Sequence, residues 1–390
     1  MSQPSSMAPP GALRIVHVTQ SASFVGGVER IVFDLASALA DRGWPQALLH
    51  DSQSVDAQFA SPFEAVSTKL DELSAFGADV AYLHKVESGE WVDSITERMP
   101  TVRMFHDHDV VCLRRHKYFP LSSRICHNPI GFDCYRHLCF VQRQRGAGFP
   151  VRFASVGKKK AEIASNQRVG RFVVGSDFMR EQLITNGFER DKIRVIPPVP
   201  ASLASVAPVP MGVAREILFV GQVIRGKGVD LLLHALARLE DDWHATVVGS
   251  GSHLSHCQAL AERLGISDKV TFAGLVPHQQ LERFYAAARV VAVPSRWPEP
   301  FGMVGLEAMS RARPVVAFAV GGIPDWLVHE QTGLSVNEGD TEGLCAAIAR
   351  LLDDPQLAET MGARAAQRVG AHFRHDDCVE QTMKTLREAA

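Results

Sequence analysis

The sequence has few of the features that would place the chain in a membrane or on nucleic acid. No apolar run approaches the ~18 residues of a membrane-spanning helix, and a net charge of −2 gives no general attraction to phosphate backbones. Seven cysteines, an odd number, in a chain without the apolar core of a signal peptide favour a reducing compartment. We therefore expect a cytoplasmic protein that binds no nucleic acid.

Dinucleotide chemistry is also disfavoured. The glycine loops contain no Gly-x-Gly-x-x-Gly followed by an acid ~20 residues later, which is the pattern of NAD(P) dehydrogenases. With 46% hydrophobic and 22% charged residues among 390, the composition is that of a globular protein with enough chain for two domains.

One segment predicts a strand, a loop, a helix and a second strand in succession. The apolar run Arg289–Val293 has strand length, and a loop with two prolines around Glu299 follows it. Met303–Ser310 has the pattern of a helix, and Pro314–Phe318 that of the next strand. Such an order builds a parallel α/β sheet.

The start of the predicted helix suits an anion. The first turn of a helix has no internal acceptors for its N–H groups, so those of Gly302, Met303 and Val304 face a ligand. Glu299 and Glu307 lie on either side, and carboxylates accept hydrogen bonds from hydroxyls. A diphosphate between two hydroxyl-bearing rings, as in a nucleotide sugar, would match all three parts. The alternative is a pair of solvated charges.

The segment resembles the signature of glycosyltransferase family 4. The matching residues are Pro294-Ser295, Glu299-Pro300-Phe301-Gly302, Leu306-Glu307-Ala308-Met309, Pro314-Val315-Val316-Ala317 and Gly321-Gly322. Ala312 replaces a usual Gly and Asp325 a usual Glu. These departures leave the two framing acids and the anion site intact.

The resemblance implies an α/β protein of GT-B fold, with two Rossmann-like doubly wound domains facing across a cleft. It implies a retaining, metal-independent glycosyltransferase that needs no cofactor. Such an enzyme moves a sugar from a nucleotide-sugar donor to a glycan or lipid-linked acceptor, in surface polysaccharide or glycolipid synthesis. The alternatives are a non-catalytic GT-B relative that binds nucleotide sugar or glycan, and an epimerase or phosphorylase of the same fold.

The chain is predicted to divide at a proline-rich stretch, since Pro197–Pro210 holds five prolines in fourteen residues. We expect a disordered lead, an acceptor-binding domain, a linker, a donor-binding domain and a terminal helix that packs back on the first domain. Their predicted ranges are 1–12, 13–198, 199–214, 215–374 and 375–390.

The resemblance also assigns roles in the donor site, with Glu299, His106 and Lys227 as the catalytic residues. Lys227 and the N–H groups of the helix start would hold the diphosphate, Glu299 the sugar hydroxyls and Glu307 the ribose. Gln222 stands where the family has an Arg, so the leaving group would lose a charge that Arg225 is placed to restore. We expect further donor contacts at Gly249, Phe301, Gly302, Met303 and Val304.

In the first domain, the strand Arg14–Val18, a loop ending in Gly26-Gly27 and a helix predict a nucleotide-type unit. The glycines resemble a family loop that faces the donor phosphate or the acceptor. His84 and His106 each follow a predicted strand, and ligands of open α/β sheets lie at such strand ends. The resemblance favours His106 as the residue near the donor sugar. A structural role is the alternative for both histidines.

Positive charge is concentrated from Leu113 to Arg171, with thirteen Lys and Arg against two acids. This predicts peripheral contact with an anionic membrane surface, although a solvated face is the alternative. The same stretch holds Cys112, Cys126, Cys134 and Cys139. Their spacing lacks the Cys-x-x-Cys pairs of a zinc site, so we expect buried or free thiols, and a metal site is the alternative.

Overall fold

The structure, a computed structural model, describes residues 11–86, 89–122, 124–143, 151–240 and 242–390. Most of the predicted lead and the basic residue Arg145 lie outside this range. The chain forms two compact units. The first comprises Met1–Arg115, His127–Ala201 and His375–Ala390, and the second His116–Cys126 and Ser202–Arg374. The short stretch His116–Cys126 thus leaves the first unit and groups with the second.

The first unit contains nine of the described strands and seven of the described helices. The strands are β1 (Ile15–Thr19), β2 (Gln46–His50), β3 (Ala65–Ser67), β4 (Val80–Leu83), β5 (Thr101–Phe105), β6 (Val141–Arg143), β7 (Val151–Phe153), β8 (Arg171–Val174) and β9 (Ile193–Val195). The helices are α1 (Gly27–Asp41), α2 (Ala57–Ala60), α3 (Gly89–Thr96), α4 (Asp133–Arg136), α5 (Val156–Gln167), α6 (Asp177–Thr185) and α14 (His375–Arg387).

Seven of these strands form a parallel sheet in the order β3-β2-β1-β4-β5-β8-β9, and β6 and β7 form a separate antiparallel hairpin. The predicted amphipathic helix is α1, which buries Val32, Leu35 and Leu39 at three- and four-residue spacing. Ser176 caps α6, since its Oγ accepts a hydrogen bond from Met179 N. The terminal helix α14 packs beside α1.

The second unit repeats this architecture. Its strands are β10 (Glu216–Val220), β11 (His244–Val248), β12 (Val270–Gly274), β13 (Val290–Val293), β14 (Val315–Phe318) and β15 (Gly333–Val336). Its helices are α7 (Val229–Leu236), α8 (Leu254–Arg263), α9 (Leu281–Ala287), α10 (Met303–Ser310), α11 (Ile323–Trp326), α12 (Thr341–Asp353) and α13 (Pro355–His372). The predicted helix Met303–Ser310 is confirmed as α10.

The six strands of the second unit lie parallel in the order β12-β11-β10-β13-β14-β15. The chain passes outward from β10 in one direction and returns to β13 on its other side, so the strand order reverses between these two strands. Open α/β sheets bind ligands at such a switch point, beyond the carboxyl ends of the strands. The loops that follow β10 and β13 are therefore where a ligand is expected.

Trp326 fixes the start of α10. Its indole is fully buried, and its Nε1 donates a hydrogen bond of 2.7 Å to the carbonyl of Phe301. The ring lies directly against the backbone of α10, because a Cβ on Gly305 would lie 2.0 Å from its Cη2 atom. Glycine stands inside this helix because the indole occupies the space of a side chain.

We expect Gly305→Ala to lower the free energy of unfolding by about 1–3 kcal/mol, because the added methyl group forces α10 or the Trp326 indole to move. Urea denaturation measures this change. Gly370→Ala is the matched control. Gly370 lies near the end of α13 with no atom within 4 Å of its Cβ position, so alanine there is expected to add ~0.5–1 kcal/mol. Equal stabilisation by both changes would contradict the packing argument.

Candidate functional site

Two loops of the second unit pack backbone against backbone at the switch point. One follows β10 (residues 221–228) and the other follows β13 (residues 294–302). Trp297 N donates to Gly226 O at 2.9 Å. Gly228 has a φ of +70°, and a Cβ there would lie 1.9 Å from Pro294 O. The loops meet this closely because glycine leaves room between them.

Arg296 holds the two loops together. Its guanidinium donates 2.7 Å to the carbonyl of Arg225 and makes a bidentate pair with Asp230 at 3.0 Å on both branches. The side chain is nearly buried, so a paired carboxylate is what makes its burial tolerable. Sequence reasoning missed Arg296, whose only signal is its place between Ser295 and Trp297 in the motif.

Lys227 and Glu299, both predicted as catalytic, form an ion pair. Lys227 Nζ lies 2.7 and 2.9 Å from the two carboxylate oxygens, and Ser295 Oγ donates to Oε1 at 2.5 Å. Only 7% of the Glu299 side chain is exposed, against 28% of Lys227. The buried carboxylate is thus neutralised by a lysine that a ligand can still reach. Ser295 was not predicted as part of the site.

Gly321 and Gly322 support the loop that carries Glu299. Gly322 N donates to Glu299 O at 2.7 Å, and a Cβ on Gly321 would lie 2.3 Å from the same oxygen. Gly321 also has a φ of +59°. The Gly-Gly pair of the motif therefore has a structural role, because it lets this turn lie against the peptide of Glu299.

The helix start keeps the donors that the sequence predicts. Within the described residues, the N–H groups of Gly302, Met303 and Val304 meet no hydrogen-bond acceptor. Gly302 has a φ of +91°, which turns the chain into α10. Phe301, expected to contact the donor, is buried, and its carbonyl is taken by Trp326. Three amides and the dipole of α10 thus offer a site for an oxyanion.

Glu307 lies on the second turn of α10 and is half-buried. Tyr285 donates its hydroxyl to Glu307 Oε2 at 3.1 Å. Burial, and then the nearby carboxylate of Glu307, hold the pKa of Tyr285 well above its usual 10, so the phenol stays protonated and donates. Tyr285 was missed because it lies on α9, far from the motif in sequence.

The other predicted donor contacts lie on the loop after β10 and on the turn after β11. Gln222 and Arg225 are exposed on the loop after β10. Gly249 has a φ of +138°, and a Cβ there would lie 1.8 Å from Gly221 O. Glycine at 249 is thus required by the packing of its own turn against the neighbouring loop.

Three histidines form a chain in the first unit. His17 Nδ1 lies 3.1 Å from His84 Nε2, and His84 Nδ1 lies 3.3 Å from His106 Nε2. A neutral imidazole donates with one nitrogen and accepts with the other. The proton position on His106 is therefore coupled through His84 to that on His17. The sequence pointed to the two strand-end histidines but not to His17, which lies inside β1.

Burial keeps this chain uncharged. It lowers the pKa of His17 and of His106 to about 4. Burial lowers that of His84 well below 6.5, and its two histidine neighbours add to the effect. All three are thus neutral at physiological pH.

The glycine loop of the first unit is open. Gly26 and Gly27 are exposed at the start of α1, and no atom lies within 4 Å of the Cβ position of Gly27. Neither has a positive φ. The fold itself therefore does not require glycine at 27.

The cysteine-rich stretch buries Cys139 and leaves Cys112, Cys126 and Cys134 half-buried. Across the described ranges, no three His, Cys, Asp or Glu residues are grouped so as to hold a metal ion. Among the helices that the structure describes, none has both the length and the apolar character needed to span a bilayer.

Two family models match the chain. One, Glycosyl transferases group 1, matches residues 212–368, and the other, Glycosyltransferase Family 4, matches residues 25–199. The first match contains both loops of the candidate donor site. The second contains the glycine loop and the two strand-end histidines, His84 and His106.

Curated relatives match in part. The chain is 38% identical over 251 residues to a D-inositol 3-phosphate glycosyltransferase of Kineococcus radiotolerans, covering 56% of this chain and 57% of that protein. It is 32% identical over 211 residues to a GDP-mannose-dependent alpha-(1-6)-phosphatidylinositol monomannoside mannosyltransferase of Mycobacterium tuberculosis, covering 52% and 54%. The matches span about half the length of these relatives.

A solved structure shows the same fold. The Anabaena protein Alr3699/HepE, in complex with UDP and glucose, matches with a TM-score of 0.73 and 19% identity over 96% of this chain and 100% of that chain. At this identity the match shows the fold alone. Together with the two parallel sheets, it confirms the GT-B fold that the sequence predicts.

The histidine chain makes stability depend on pH. Above pH ~6.5 the three imidazoles are neutral in both states, and below it the unfolded state binds protons first. The free energy of unfolding is therefore expected to fall as pH falls from 6.5 toward 4. His17→Phe removes one buried imidazole and should make this slope shallower, measured by urea denaturation across that range.

The matched control for this change is His234→Gln, which removes an exposed imidazole from α7. It should keep the native slope. A His17→Phe protein with the native slope would show that burial of this imidazole does not contribute to acid sensitivity.

Proposed function

Since the chain belongs to glycosyltransferase family 4, the glycosyl transferases group 1, we propose that it transfers a sugar from a nucleotide-sugar donor to a glycan or lipid-linked acceptor. The observation that carries this proposal is the Lys227–Glu299 pair at the switch point of the second unit, with the open N–H groups of α10 on the same loop. The cation and the helix start match the diphosphate of a nucleotide sugar, and the carboxylate matches the sugar hydroxyls.

The diphosphate is the part that the helix start and Lys227 would hold. Its oxygens would accept from the N–H groups of Met303 and Val304, and the ammonium would offset the charge that grows as the leaving group departs. Gln222 supplies no charge there. Arg225, exposed on the same loop, would supply it.

The two carboxylates would bind the rings. Glu299 would accept hydrogen bonds from the sugar hydroxyls, with Lys227 and Ser295 fixing its orientation. Glu307 would accept from the ribose, with Tyr285 holding its other oxygen. A carboxylate held by fixed donors is already oriented when the ligand arrives, so its side chain loses little conformational entropy on binding.

In the first unit, His106 and the Gly26-Gly27 loop would serve the reacting groups. The neutral imidazole of His106 would hydrogen-bond the sugar. Open space around Gly27 would let a ligand approach the peptide.

We propose that the reaction retains configuration and uses no metal or cofactor. The bond from the sugar C1 to the phosphate oxygen breaks, and its electron pair leaves with the diphosphate. The acceptor oxygen bonds to C1 on the same face, and its proton passes to the leaving phosphate oxygen. Lys227 and the amides of α10 would supply the charge stabilisation that a metal supplies elsewhere.

Lys227→Gln and Glu307→Gln test the donor site. We expect each to weaken nucleotide binding about tenfold or more, because a charge-assisted contact contributes ~1.5–3 kcal/mol. Calorimetric titration with UDP, GDP and ADP would first fix the base. Sugar transfer and donor hydrolysis would then be measured, with the product anomer read by proton NMR.

The control for Glu307→Gln is Glu359→Gln, the same charge change on an exposed position of α13. It should leave binding at the native level. Nucleotide binding without transfer or hydrolysis would instead support the non-catalytic alternative. The absence of binding to any of the three nucleotides at millimolar concentration would overturn the donor site.

We also propose that the enzyme docks peripherally on an anionic membrane, at its cytoplasmic face, in glycolipid or surface polysaccharide synthesis. The basic stretch Leu113–Arg171 carries exposed aromatic rings, with Phe132 80% and Phe153 69% exposed. Phe153 stacks on Phe140 at 6.0 Å between centroids. Exposed rings among basic residues suit a headgroup region, where apolar contact adds to attraction by charge.

Phe132→Ser with Phe153→Ser is expected to weaken binding to vesicles of mixed neutral and anionic lipid at least about fivefold, because both rings leave the interface. Co-sedimentation measures this. The control is Leu275→Ser, an exposed apolar residue of the second unit, which is 82% exposed. Equal binding by all three proteins, or none by the native protein, would favour a solvated face.

A further inference from the structure

The first unit has a cavity of about 410 Å³ that is open to solvent on one side and lined by many charged side chains. Its walls come from the ends of β4 and β5, the β6–β7 hairpin and the start of α5. This volume is in the range of small-molecule sites. His84 and His106 line the same cavity. It therefore adjoins the histidine that we propose acts on the sugar.

Arg103 lines this cavity, and two of its N–H donor atoms make no hydrogen bond within the described residues. It stands inside β5 and is only 3% exposed. Its Nη2 donates to Val86 O at 2.7 Å, while Nε and Nη1, both buried, have no partner within the described residues. Burial lowers its pKa to about 10, so it is charged at neutral pH. Burying a cation whose N–H donors lack acceptors costs free energy, and a ligand that supplies the acceptors offsets this cost.

Arg313 shows what a purely structural buried arginine looks like in this chain. It is fully buried, and its Nε, Nη1 and Nη2 donate to the carbonyls of Tyr285, Val209 and Pro210. Arg103 has one such carbonyl. The difference indicates that the remaining donors of Arg103 serve a ligand in the cavity.

The cavity lining has an excess of positive charge. It contains six cations, Lys85, Arg103, Arg115, Arg152, Lys158 and Lys159, and three acids, Asp107, Asp109 and Glu162. Each acid has a cation beside it, in the pairs Lys85–Asp107, Arg115–Asp109 and Lys159–Glu162. Arg103, Arg152 and Lys158 have no carboxylate partner within the described residues, which leaves an excess of three charges.

The start of α5 adds to this field. Ser155 caps the twelve-residue helix by accepting from Lys158 N, and both residues line the cavity. The positive end of the helix dipole and the first-turn N–H groups therefore lie at the cavity wall. A helix start, an unsatisfied arginine and two unpaired cations together favour a phosphate.

We propose that this cavity binds the phosphate of a phosphorylated polyhydroxyl acceptor, an inference that rests on the proposed glycosyl transfer. Arg103, Arg152 and Lys158, which all line the cavity, hold the phosphate. Asp107 and Asp109 accept hydrogen bonds from acceptor hydroxyls. His106, which lines the same cavity, lies beside the bound acceptor. The phosphate belongs either to a soluble sugar phosphate or to a sugar linked through phosphate to a polyprenyl chain, for which polyprenyl phosphate is the probe.

The test measures acylation of Lys158 by an amine-reactive reagent, with mass spectrometry resolving each lysine. Inorganic phosphate and a hexose 6-phosphate are expected to protect Lys158, while the unphosphorylated hexose is not. Lys160 is the internal comparison, since it lies two residues away on α5 and does not line the cavity. Protection of both lysines alike, or of neither, would overturn the proposal.

Variants give the second readout, by calorimetric titration with the hexose phosphate. Lys158→Gln is expected to weaken binding at least about fivefold and Arg103→Met about tenfold or more, because each change removes a charge-assisted hydrogen bond to the phosphate. Lys160→Gln should bind as the native protein does. Thermal unfolding checks that Arg103→Met is folded. If it is not, Lys158→Gln decides, and native affinity there would contradict the site.

Polyprenyl phosphate in micelles separates the two sources. Protection of Lys158 by the hexose phosphate alone indicates a soluble acceptor, and protection by the polyprenyl phosphate indicates a lipid-linked one. Titration with nucleotide is run on the same protein. Nucleotide binding with no phosphate binding would overturn this proposal alone, whereas phosphate binding without nucleotide binding would overturn the proposed donor site.

Discussion

The second unit depends on one constraint, which is that four turns, those after β10, β11, β13 and β14, lie against each other with no side chain between their backbones. Gly228 faces the carbonyl of Pro294, Gly321 faces the peptide of Glu299, and Gly249 faces Gly221. The Cβ positions at these glycines fall 1.8 to 2.3 Å from a neighbouring carbonyl oxygen, far inside van der Waals contact. Any side chain would separate the turns. The position of the candidate donor site is thus set by backbone contact before its charged groups contribute.

Buried charge is the second theme. In the second unit each deeply buried charge of the site has its partner, with Glu299 held by Lys227 and Arg296 held by Asp230. Such pairs are weak sources of stability, because desolvation offsets much of the attraction, but removal of one partner is costly. The main effect of these ion pairs is to fix the orientation of the Glu299 and Arg296 side chains. Arg103 in the first unit differs because only one of its donor atoms has a partner, a carbonyl.

The motif and its periodicity were enough to predict much of the fold. The strand-loop-helix-strand order, the bounds of α10 and the cap at Ser176 follow from local rules of apolar spacing and capping. The parallel two-sheet architecture follows from the family resemblance. Local rules could not predict that the stretch His116–Cys126 groups with the second unit, because that grouping depends on contacts between residues far apart in sequence.

The sequence by itself determined which residues carry the candidate chemistry, because Lys227, Glu299 and Glu307 stand in local motifs that are recognised without knowledge of the fold. Only the tertiary structure decided which groups hold them. Tyr285 reaches Glu307 from another helix, and His17 reaches His84 across neighbouring strands. A side chain that acts through a partner far along the chain leaves no local pattern. Such a side chain meets its partner only after the sheet and its helices have packed, so its role is visible only in the tertiary structure.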